Sequence, residues 1–295
     1  TLLSILAAVT VAAPLVGAAA TAAGAAGRLR PTAVAALVVS LLSSLAITFG
    51  WTAGDGAAWA AGERLGGGSL LFIDGITAVL LPYVALVELA ILLVAPRRAL
   101  DPAATARLLF GAAATFALFL TAHPVALVLL WCGTAVPTWV SVRHAPGGRG
   151  AARVFAIAMT AAVACMAVGT LMLVVDPPWS EAAGRIGTVG GWLVALAVMI
   201  RKGIFPFHSW YPALFSGAPM GTALAATMPQ VASYTAVRLL IGHADHPEGV
   251  AAELVVLSQL ALVTTAYGAA LAIVQRDLRS LIGTLAMSQS ALVLA

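Results

Sequence analysis

Three ionisable residues lie close together inside one of the most apolar parts of the 295-residue chain. The stretch IRKGIFPFHSWYP, residues 200–212, contains Arg201, Lys202 and His208. An ionisable side chain at membrane depth costs on the order of 3 kcal/mol and persists mainly along ion paths, in proton relays or in ion pairs. Lysine and histidine can exchange a proton, whereas arginine stays charged. We therefore predict proton exchange at Lys202, with His208 passing protons onward and Arg201 supplying a fixed positive field or an interface contact.

The segment that carries Lys202 is predicted to be a broken helix. Lys202, the only lysine in the chain, lies about 15 residues into its predicted span, which is roughly 22 Å along a helix and within a hydrocarbon core of about 30 Å. Pro206 and Pro212 interrupt this helix, and backbone freed at membrane depth is tolerated only where protein or a water-filled cavity receives it. Two alternatives stay open: Lys202 snorkels to the interface, or His208 is a hydrogen-bonded lock between helices.

Three further charged residues break the apolar pattern, namely Asp74, Glu88 and Arg238. Glu88 follows Asp74 by 14 residues, about four helical turns, so both point to similar faces of one helix. Glu88 is predicted either to pair with Arg201 or Arg238, or to modulate the charge of Lys202. Asp74 lies at the start of its span, where free amides favour a capping carboxylate.

The composition identifies the class of protein. The chain is 62% hydrophobic and 9% charged, with a mean hydropathy of +1.04, whereas soluble domains carry about a quarter charged residues. This composition predicts a membrane protein. The basic residues sit in short clusters, which indicates loop asymmetry rather than a nucleic-acid surface. Cys132 and Cys165 lack the spacing of a metal site, and the histidine pair in the turn at 243–248 lacks further ligands, so no metal or redox cofactor is predicted.

The apolar segments predict an all-α, polytopic membrane helix bundle with a discontinuous seventh helix. A spanning helix needs about 20 apolar residues, and the uncharged first 27 residues favour a first span over a cleaved signal peptide. His123 and Pro124 divide one long apolar run, because proline disfavours helix in the preceding residue and can start the next helix. About ten spans result, at roughly 2–26, 32–50, 72–95, 104–121, 124–142, 153–175, 187–216 (broken), 219–241, 251–274 and 280–295.

The loop charges alternate between the two sides of this predicted bundle. Acidic residues dominate one side, with Arg64 and Arg185 as its only bases. By the positive-inside rule the basic side is cytoplasmic and the N-terminus lies outside, in a bacterial-type inner membrane. The basic side carries Arg28, Arg30, Arg97, Arg98, Arg107, Arg143, Arg149, Arg153, Arg276 and Arg279 against Asp101 and Asp277, and the acidic side carries Asp55, Glu63, Asp176, Glu181, Asp245, Glu248 and Glu253.

The last third of the chain resembles a known family. KGIFPFHSWYPALFSGAP, ALAATMPQVASYTAVRLL and QRDLRSLIGTLAMSQSALVL are similar to the antiporter-like, proton-conducting membrane subunits of respiratory complex I (the L, M and N types), of Mrp antiporters, of membrane-bound hydrogenases and of a two-component inorganic-carbon uptake system. FIDGITAVLL, residues 72–81, resembles the start of the family's third helix at Asp74. The family's block K-x-x-x-x-P-F-H-x-W-L-P corresponds to Lys202, Pro206, Phe207, His208, Trp210 and Pro212, with Tyr211 in the leucine position.

The resemblance implies roles for individual residues, and the chain differs from the family pattern at two positions. Lys202 is implied to carry protons in the broken helix, with His208 as a helper. The family's fifth-helix glutamate is replaced by Cys132, and a relay lysine of the eighth helix in some members is replaced by Gln230. A thiol in an apolar helix hardly ionises and an amide cannot exchange charge. Glu88 or a partner subunit is therefore expected to complete the path.

The expected domain organisation follows from the same resemblance. Family members have about 14 helices with a second, inverted repeat, so the chain is expected to be a fragment of a longer one. Residues 1–295 form a single integral membrane domain in this prediction, with the first repeat core at 72–216 and the start of the second at 219–295.

The resemblance implies a proton-translocating, antiporter-like subunit of a multisubunit energy-converting complex similar to NADH-quinone oxidoreductase. Membrane or peripheral subunits, lipid and H⁺ or Na⁺ are the expected partners, and catalysis is left to those subunits. One alternative is the membrane proton channel of a zinc-dependent complex that takes up CO₂ or bicarbonate. Further alternatives are an independent secondary transporter that binds a small anion near Arg201 and Lys202, and a structural membrane scaffold.

Overall fold

Helices make up most of the chain that the structure describes. The computed structural model describes residues 2–23, 29–65, 68–96, 100–176, 185–241 and 252–295. Its strands are β1 (Trp59–Leu65) and β2 (Gly68–Ile73). Its helices are α1 (Leu2–Ala22), α2 (Leu29–Ala53), α3 (Gly75–Val94), α4 (Pro102–Phe119), α5 (Pro124–His144), α6 (Arg149–Val175), α7 (Arg185–Lys202), α8 (Trp210–Gly217), α9 (Met220–Thr227), α10 (Val231–Ala236), a π-helix (Val237–Ile241), α11 (Ala252–Ile273) and α12 (Leu278–Leu292).

Each of the ten predicted spans contains at least one of these helices. Among the described residues, seven helices are long and apolar enough to cross a membrane, namely α1 to α6 and α11. The predicted turn at His123 and Pro124 is confirmed, since α4 ends at Phe119 and α5 begins at Pro124. Part of the predicted loop-charge pattern lies outside the described residues, namely Arg28, Arg97, Arg98, Glu181, Asp245, Glu248 and the turn at 243–248.

The predicted discontinuity of the seventh segment is confirmed. α7 ends at Lys202 and α8 begins at Trp210, so residues 203–209 form the break. Gly203 has a φ of +67°, a left-handed conformation that glycine adopts without steric cost. Pro206 lies inside the break, whereas Pro212 lies in the first turn of α8, where proline is tolerated. The interruption is therefore made by Gly203 and Pro206.

The eighth segment, predicted as one helix over 219–241, is also interrupted, and the prediction of a continuous helix is wrong. α9 ends at Thr227, α10 begins at Val231, and a π-helix follows from Val237. Pro229 disfavours helix in the residue before it. Gln230 takes a left-handed backbone with φ 60° and ψ 29°. Two neighbouring segments of the chain are thus broken.

A β-hairpin precedes α3 and was not predicted. β1 and β2 pair antiparallel, with an irregular register between Ala61 and Arg64. The hairpin is held on the α4–α5 connection, because the Phe72 N–H donates to the Leu120 carbonyl at 2.8 Å and the Ala122 N–H donates to the Ser69 carbonyl at 3.1 Å. As a result the third span begins at Gly75 rather than at residue 72.

The chain forms two compact units, of which the first comprises residues 1–141 and 219–229. In this unit α1 packs against α2 and α4, and α2 packs against α3. Small polar residues join α1 to α2: the Ser40 hydroxyl donates to the Thr10 carbonyl at 2.9 Å, and the Thr10 and Ser43 hydroxyls lie 2.8 Å apart. Small side chains at such positions allow the close helix approach expected in membranes.

The second unit comprises residues 142–218 and 230–295. Here α6 packs against α7 and α8, and α12 packs against α11 and α8. The start of α12 is capped by Asp277, which accepts from the Ser280 N–H at 3.0 Å, and this hydrogen bond holds the pKa of the Asp277 carboxyl below its usual value. All residues of the broken seventh segment lie in this unit.

The contact between α6 and α7 depends on two glycines, and replacing one of them should separate the helices. A Cβ atom at Gly190 would lie 2.8 Å from the Met172 Cβ and 2.9 Å from the Gly169 carbonyl oxygen. Gly190→Val is therefore expected to lower the free energy of unfolding by about 1–3 kcal/mol through overpacking, measured by thermal unfolding in detergent. Gly150→Ala on α6 is the matched control, since its Cβ meets nothing within 4 Å. Equal melting temperatures for the two variants would contradict the role of this contact.

Candidate functional site

Lys202 is the last residue of α7 and is buried, with 2% of its surface exposed. Its Nζ donates a hydrogen bond to the side-chain oxygen of Gln230 and another to the backbone carbonyl of Ser290, at 2.7 Å. Both acceptors are neutral, and both lie in the second unit. The side chain thus turns inward to other helices of its own unit and does not reach outward, as snorkelling would require.

The break beyond Lys202 frees backbone groups next to it. Pro206 has no N–H, and the Phe205 N–H donates to the Thr264 hydroxyl at 3.0 Å instead of continuing the helix. The Phe207 N–H turns back to the Ile204 carbonyl at 2.7 Å. The carbonyls of residues 201–203 therefore lose the amides that would bond them in a continuous helix. Backbone carbonyls in such a break can hydrogen-bond protein groups or water.

His208, also in the break, is joined to α11. Its Nε2 lies 3.3 Å from the hydroxyl oxygen of Tyr267, and its ring is stacked on Phe205 with centroids 5.8 Å apart. Within the described part of the chain, the buried Nδ1 has no hydrogen-bond partner. This geometry keeps both predicted roles open, because one nitrogen links two segments while the other is available for a proton or a water molecule.

The supporting residues of the second unit take different positions. Trp210 is buried, and its indole N–H donates to the Ile200 carbonyl at 2.8 Å, which ties the start of α8 to the end of α7. Arg201 is half-buried and precedes Lys202 on α7. Arg238 lies in the π-helix with its guanidinium carbon 4.7 Å from the centre of the Tyr234 ring.

The remaining predicted residues lie in the first unit. Glu88 is buried on α3, with 1% of its surface exposed, and its Oε2 has no hydrogen-bond partner among the described residues. Asp74 caps α3, as predicted, by accepting from the Thr77 N–H at 2.9 Å. Cys132 is a half-buried free thiol on α5. Glu88 therefore has the burial expected of a functional carboxyl, and its role stays a prediction.

Three residues that contact the predicted site were not singled out from the sequence: Ser290, Tyr267 and Thr264. The stretch MSQS, residues 287–290, places polar residues in an otherwise apolar segment and was an available signal for Ser290. Tyr267 and Thr264 lie in an apolar helix rich in alanine, where a threonine hydroxyl usually bonds its own backbone. Thr264 does so as well, since its hydroxyl donates to the Leu260 carbonyl at 2.7 Å.

The arrangement can hold a proton and release it. Lysine's amine can carry or lose a proton at a buried position, and the Gln230 side chain and the Ser290 carbonyl hold this amine in place. Among the described residues, no group of three or more histidine, cysteine or carboxylate side chains could hold a metal ion. A buried amine with these acceptors is chemically able to bind and release a proton.

A family comparison matches the part of the chain that holds this site. Residues 154–295, just under half of the chain, match the family model described as "NADH:quinone oxidoreductase/Mrp antiporter, TM". Over 128 residues the chain is 30% identical to NADH-quinone oxidoreductase subunit N 3 of Streptomyces griseus, a match that covers 42% of this chain and 23% of the relative. Over 107 residues it is 34% identical to subunit N 2 of Solidesulfovibrio magneticus, covering 36% and 22%. The match thus spans less than a quarter of each curated relative.

Solved structures share the fold at low sequence identity. A chain of respiratory complex I from Thermus thermophilus with bound NADH superimposes with a TM-score of 0.78 at 20% identity, covering 97% of this chain and 63% of that one. A chain of the Mrp complex from a Dietzia species gives a TM-score of 0.75 at 18% identity, covering 98% and 58%. The membrane-bound helical fold inferred from the sequence is therefore confirmed.

Proposed function

We propose that this chain translocates protons in a multisubunit membrane complex. The premise is its resemblance to the antiporter-like membrane subunits of NADH:quinone oxidoreductase and Mrp antiporters. The relatives are named as NADH-quinone oxidoreductase subunits N, and the structural neighbours come from multisubunit membrane complexes. The chain is accordingly proposed to work with partner subunits that perform the driving reaction.

The observation that carries this proposal is the position of Lys202. The only lysine of the chain is buried at the broken end of α7, where its Nζ bonds two neutral acceptors. A structural lysine would be stabilised by a carboxylate or would extend to the interface. An ammonium whose acceptors among the described residues are neutral can lose its proton without leaving a buried carboxylate unpaired. Lys202 is therefore proposed as the residue that takes up and releases the transported proton.

His208 and Glu88 are proposed as further members of the proton path. His208 has a buried nitrogen without a hydrogen-bond partner among the described residues and a link to Tyr267 on α11, so it can accept a proton close to the break. Glu88 is buried with one oxygen without a partner among the described residues, as expected of a carboxyl that titrates rather than one in a fixed ion pair. Slower proton transport in His208→Phe and in Glu88→Gln is the result that supports these roles.

The orientation is proposed from the loop charges. The arginine-rich loops, among them the one at Arg276, are assigned to the cytoplasmic side by the positive-inside rule, and the N-terminus to the outside of a bacterial-type inner membrane. Arg276 is exposed, so a cysteine placed there by Arg276→Cys should react with an impermeant thiol reagent in inverted vesicles and not in intact cells. The reverse labelling would invert the assignment.

Association with partner subunits is the prediction that separates this function from an independent transporter. The full-length protein, tagged and extracted in mild detergent, is expected to migrate on a native gel with stoichiometric partner subunits. Mass spectrometry of that band identifies the driving reaction: redox subunits support the NADH-quinone oxidoreductase type, and a zinc subunit supports inorganic-carbon uptake. A lone chain that moves protons after reconstitution would refute the complex.

A further inference from the structure

Gln230 occupies an unusual backbone position beside the proposed proton site. Among the described residues, Asp55 and Gln230 are the two non-glycine residues with positive φ. Aspartate tolerates this conformation because its short side chain bonds locally, whereas a longer side chain has no such compensation. Gln230 precedes α10 but makes no side-chain capping bond to it. Its carboxamide oxygen instead accepts a hydrogen bond from the Lys202 Nζ.

The two acceptors of Lys202 differ in what they can do when the proton leaves. An ammonium offers three N–H donors, whereas a neutral amine offers two donors and one lone pair. The Ser290 backbone carbonyl, 2.7 Å from Nζ, can only accept. The Gln230 carboxamide has an acceptor oxygen and a donor NH₂ group, so a half-turn about its last bond presents a donor to the amine lone pair. The Gln230 carboxamide can therefore hydrogen-bond the Lys202 amine in either protonation state.

We infer that Gln230 is a positioning residue for proton exchange at Lys202, and that its carboxamide turns over as the amine gains and loses its proton. The inference rests on the proposed function, which makes Lys202 the exchanging group. The oxygen of Gln230 stabilises the ammonium, and its NH₂ group holds the neutral amine in the same place. Since an amide carries no excess proton, the proton leaves Lys202 by another route, through water or another side chain.

The pH dependence of proton transport also reflects the other ionisable groups near α7. Substitution of residue 230 changes none of them, so a shift between variants reports the contact of residue 230 with Lys202. Within the second unit these groups lie on α7 itself, on the break and on the elements packed against α7, and they are Arg185, Arg201, His208, Arg149, Arg153, Cys165, Tyr211, Tyr234, Arg238, Glu253, Tyr267 and Arg279.

The test compares Gln230→Met and Gln230→Glu in the full-length protein within its complex, with proton transport followed in membrane vesicles from pH 5 to pH 10. Methionine removes the hydrogen bond to the amine in both protonation states, and the bond to the ammonium is the stronger of the two. The alkaline limb of the profile should therefore move down by about one pH unit, the difference between a hydrogen bond to a charged group and one to a neutral group. Glutamate stabilises the ammonium, and the alkaline limb should move up by at least as much. Shifts in the same direction, or unchanged profiles, would overturn the inference.

A third variant and a second readout separate this inference from folding and from the proposed function. Gln230→Gly removes the amide while relieving the positive φ, so it should reproduce the shift of Gln230→Met without a lower melting temperature. Infrared difference spectra between acidic and alkaline pH should contain a carboxamide C=O band that Gln230→Met abolishes. If that band is present but Lys202→Met still transports protons, the amide responds to the charge of Lys202 while the transported proton takes another path, so the proposed function fails and Gln230 has no part in transport. If the band is absent from the unsubstituted protein, the inference fails.

Discussion

Lys202→Met in the full-length protein is expected to reduce proton transport by its complex at least about a hundredfold, the lower range for loss of a positioned proton-transfer group. Methionine retains an unbranched apolar side chain for the buried site, so the fold should persist. The amine and its bonds to Gln230 and Ser290 are lost. The measurement is the rate of pH change in inverted membrane vesicles energised by the complex's own reaction.

Lys202→Arg separates proton exchange from fixed charge. A guanidinium keeps its positive charge but does not deprotonate in proteins, so this variant should be nearly as inactive as Lys202→Met. The matched control is Arg276→Met, which removes one positive charge from an exposed loop position and should transport at the unsubstituted rate. If Lys202→Arg retains most of the transport, a static positive charge suffices and the exchange of a proton at this residue is refuted.

Gly203→Ala is expected to lower the free energy of unfolding by about 2–5 kcal/mol, the sum of the costs of a left-handed backbone and of an overpacked contact. Gly203 has a φ of +67°, and a Cβ there would lie 2.6 Å from the Tyr211 Cδ2. Because Tyr211 is buried, its ring has little room to move away. The measurement is the thermal unfolding midpoint of the purified complex, together with the yield of assembled protein.

Two comparisons make the Gly203 prediction specific. Gly133→Ala in the interior of α5 is the control, since a Cβ there meets only the Ala114 Cβ, at 3.7 Å, and alanine is the better helix former. In a Tyr211→Leu background the steric part of the penalty should shrink while the backbone part remains. A Gly203→Ala variant as stable as the Gly133→Ala control would show that the break does not require glycine.

The sequence predicted the features that depend on local chemistry. The end of α7 and the turn before α5 follow from prolines beside apolar runs, since a missing N–H ends a helix wherever the rest of the chain lies. The same signal existed at Pro229, yet the eighth segment was predicted as one helix because its apolar residues continue on both sides. The β-hairpin was not predicted because residues 59–73 lack the regular alternation of apolar and polar residues that indicates a strand.

The sequence predicted which residues form the candidate site but not which of them contact each other. Lys202 and Gln230 were both singled out, yet Gln230 was interpreted as a lost relay lysine rather than as the direct partner of Lys202. Their contact joins positions 28 residues apart, and the contact with Ser290 joins positions 88 apart. Such pairings depend on how helices pack and leave no periodic pattern in the chain. Tyr267 beside His208 was missed for the same reason.

The acceptor that α12 offers to Lys202 belongs to the main chain. Every residue type at position 290 carries the same carbonyl oxygen, so replacing that side chain leaves the bond's acceptor in place. An alanine substitution at position 290 would therefore report on the Ser290 hydroxyl alone and would not test the carbonyl that binds the amine. Perturbing this contact requires moving the helix, for example by inserting one residue into α12.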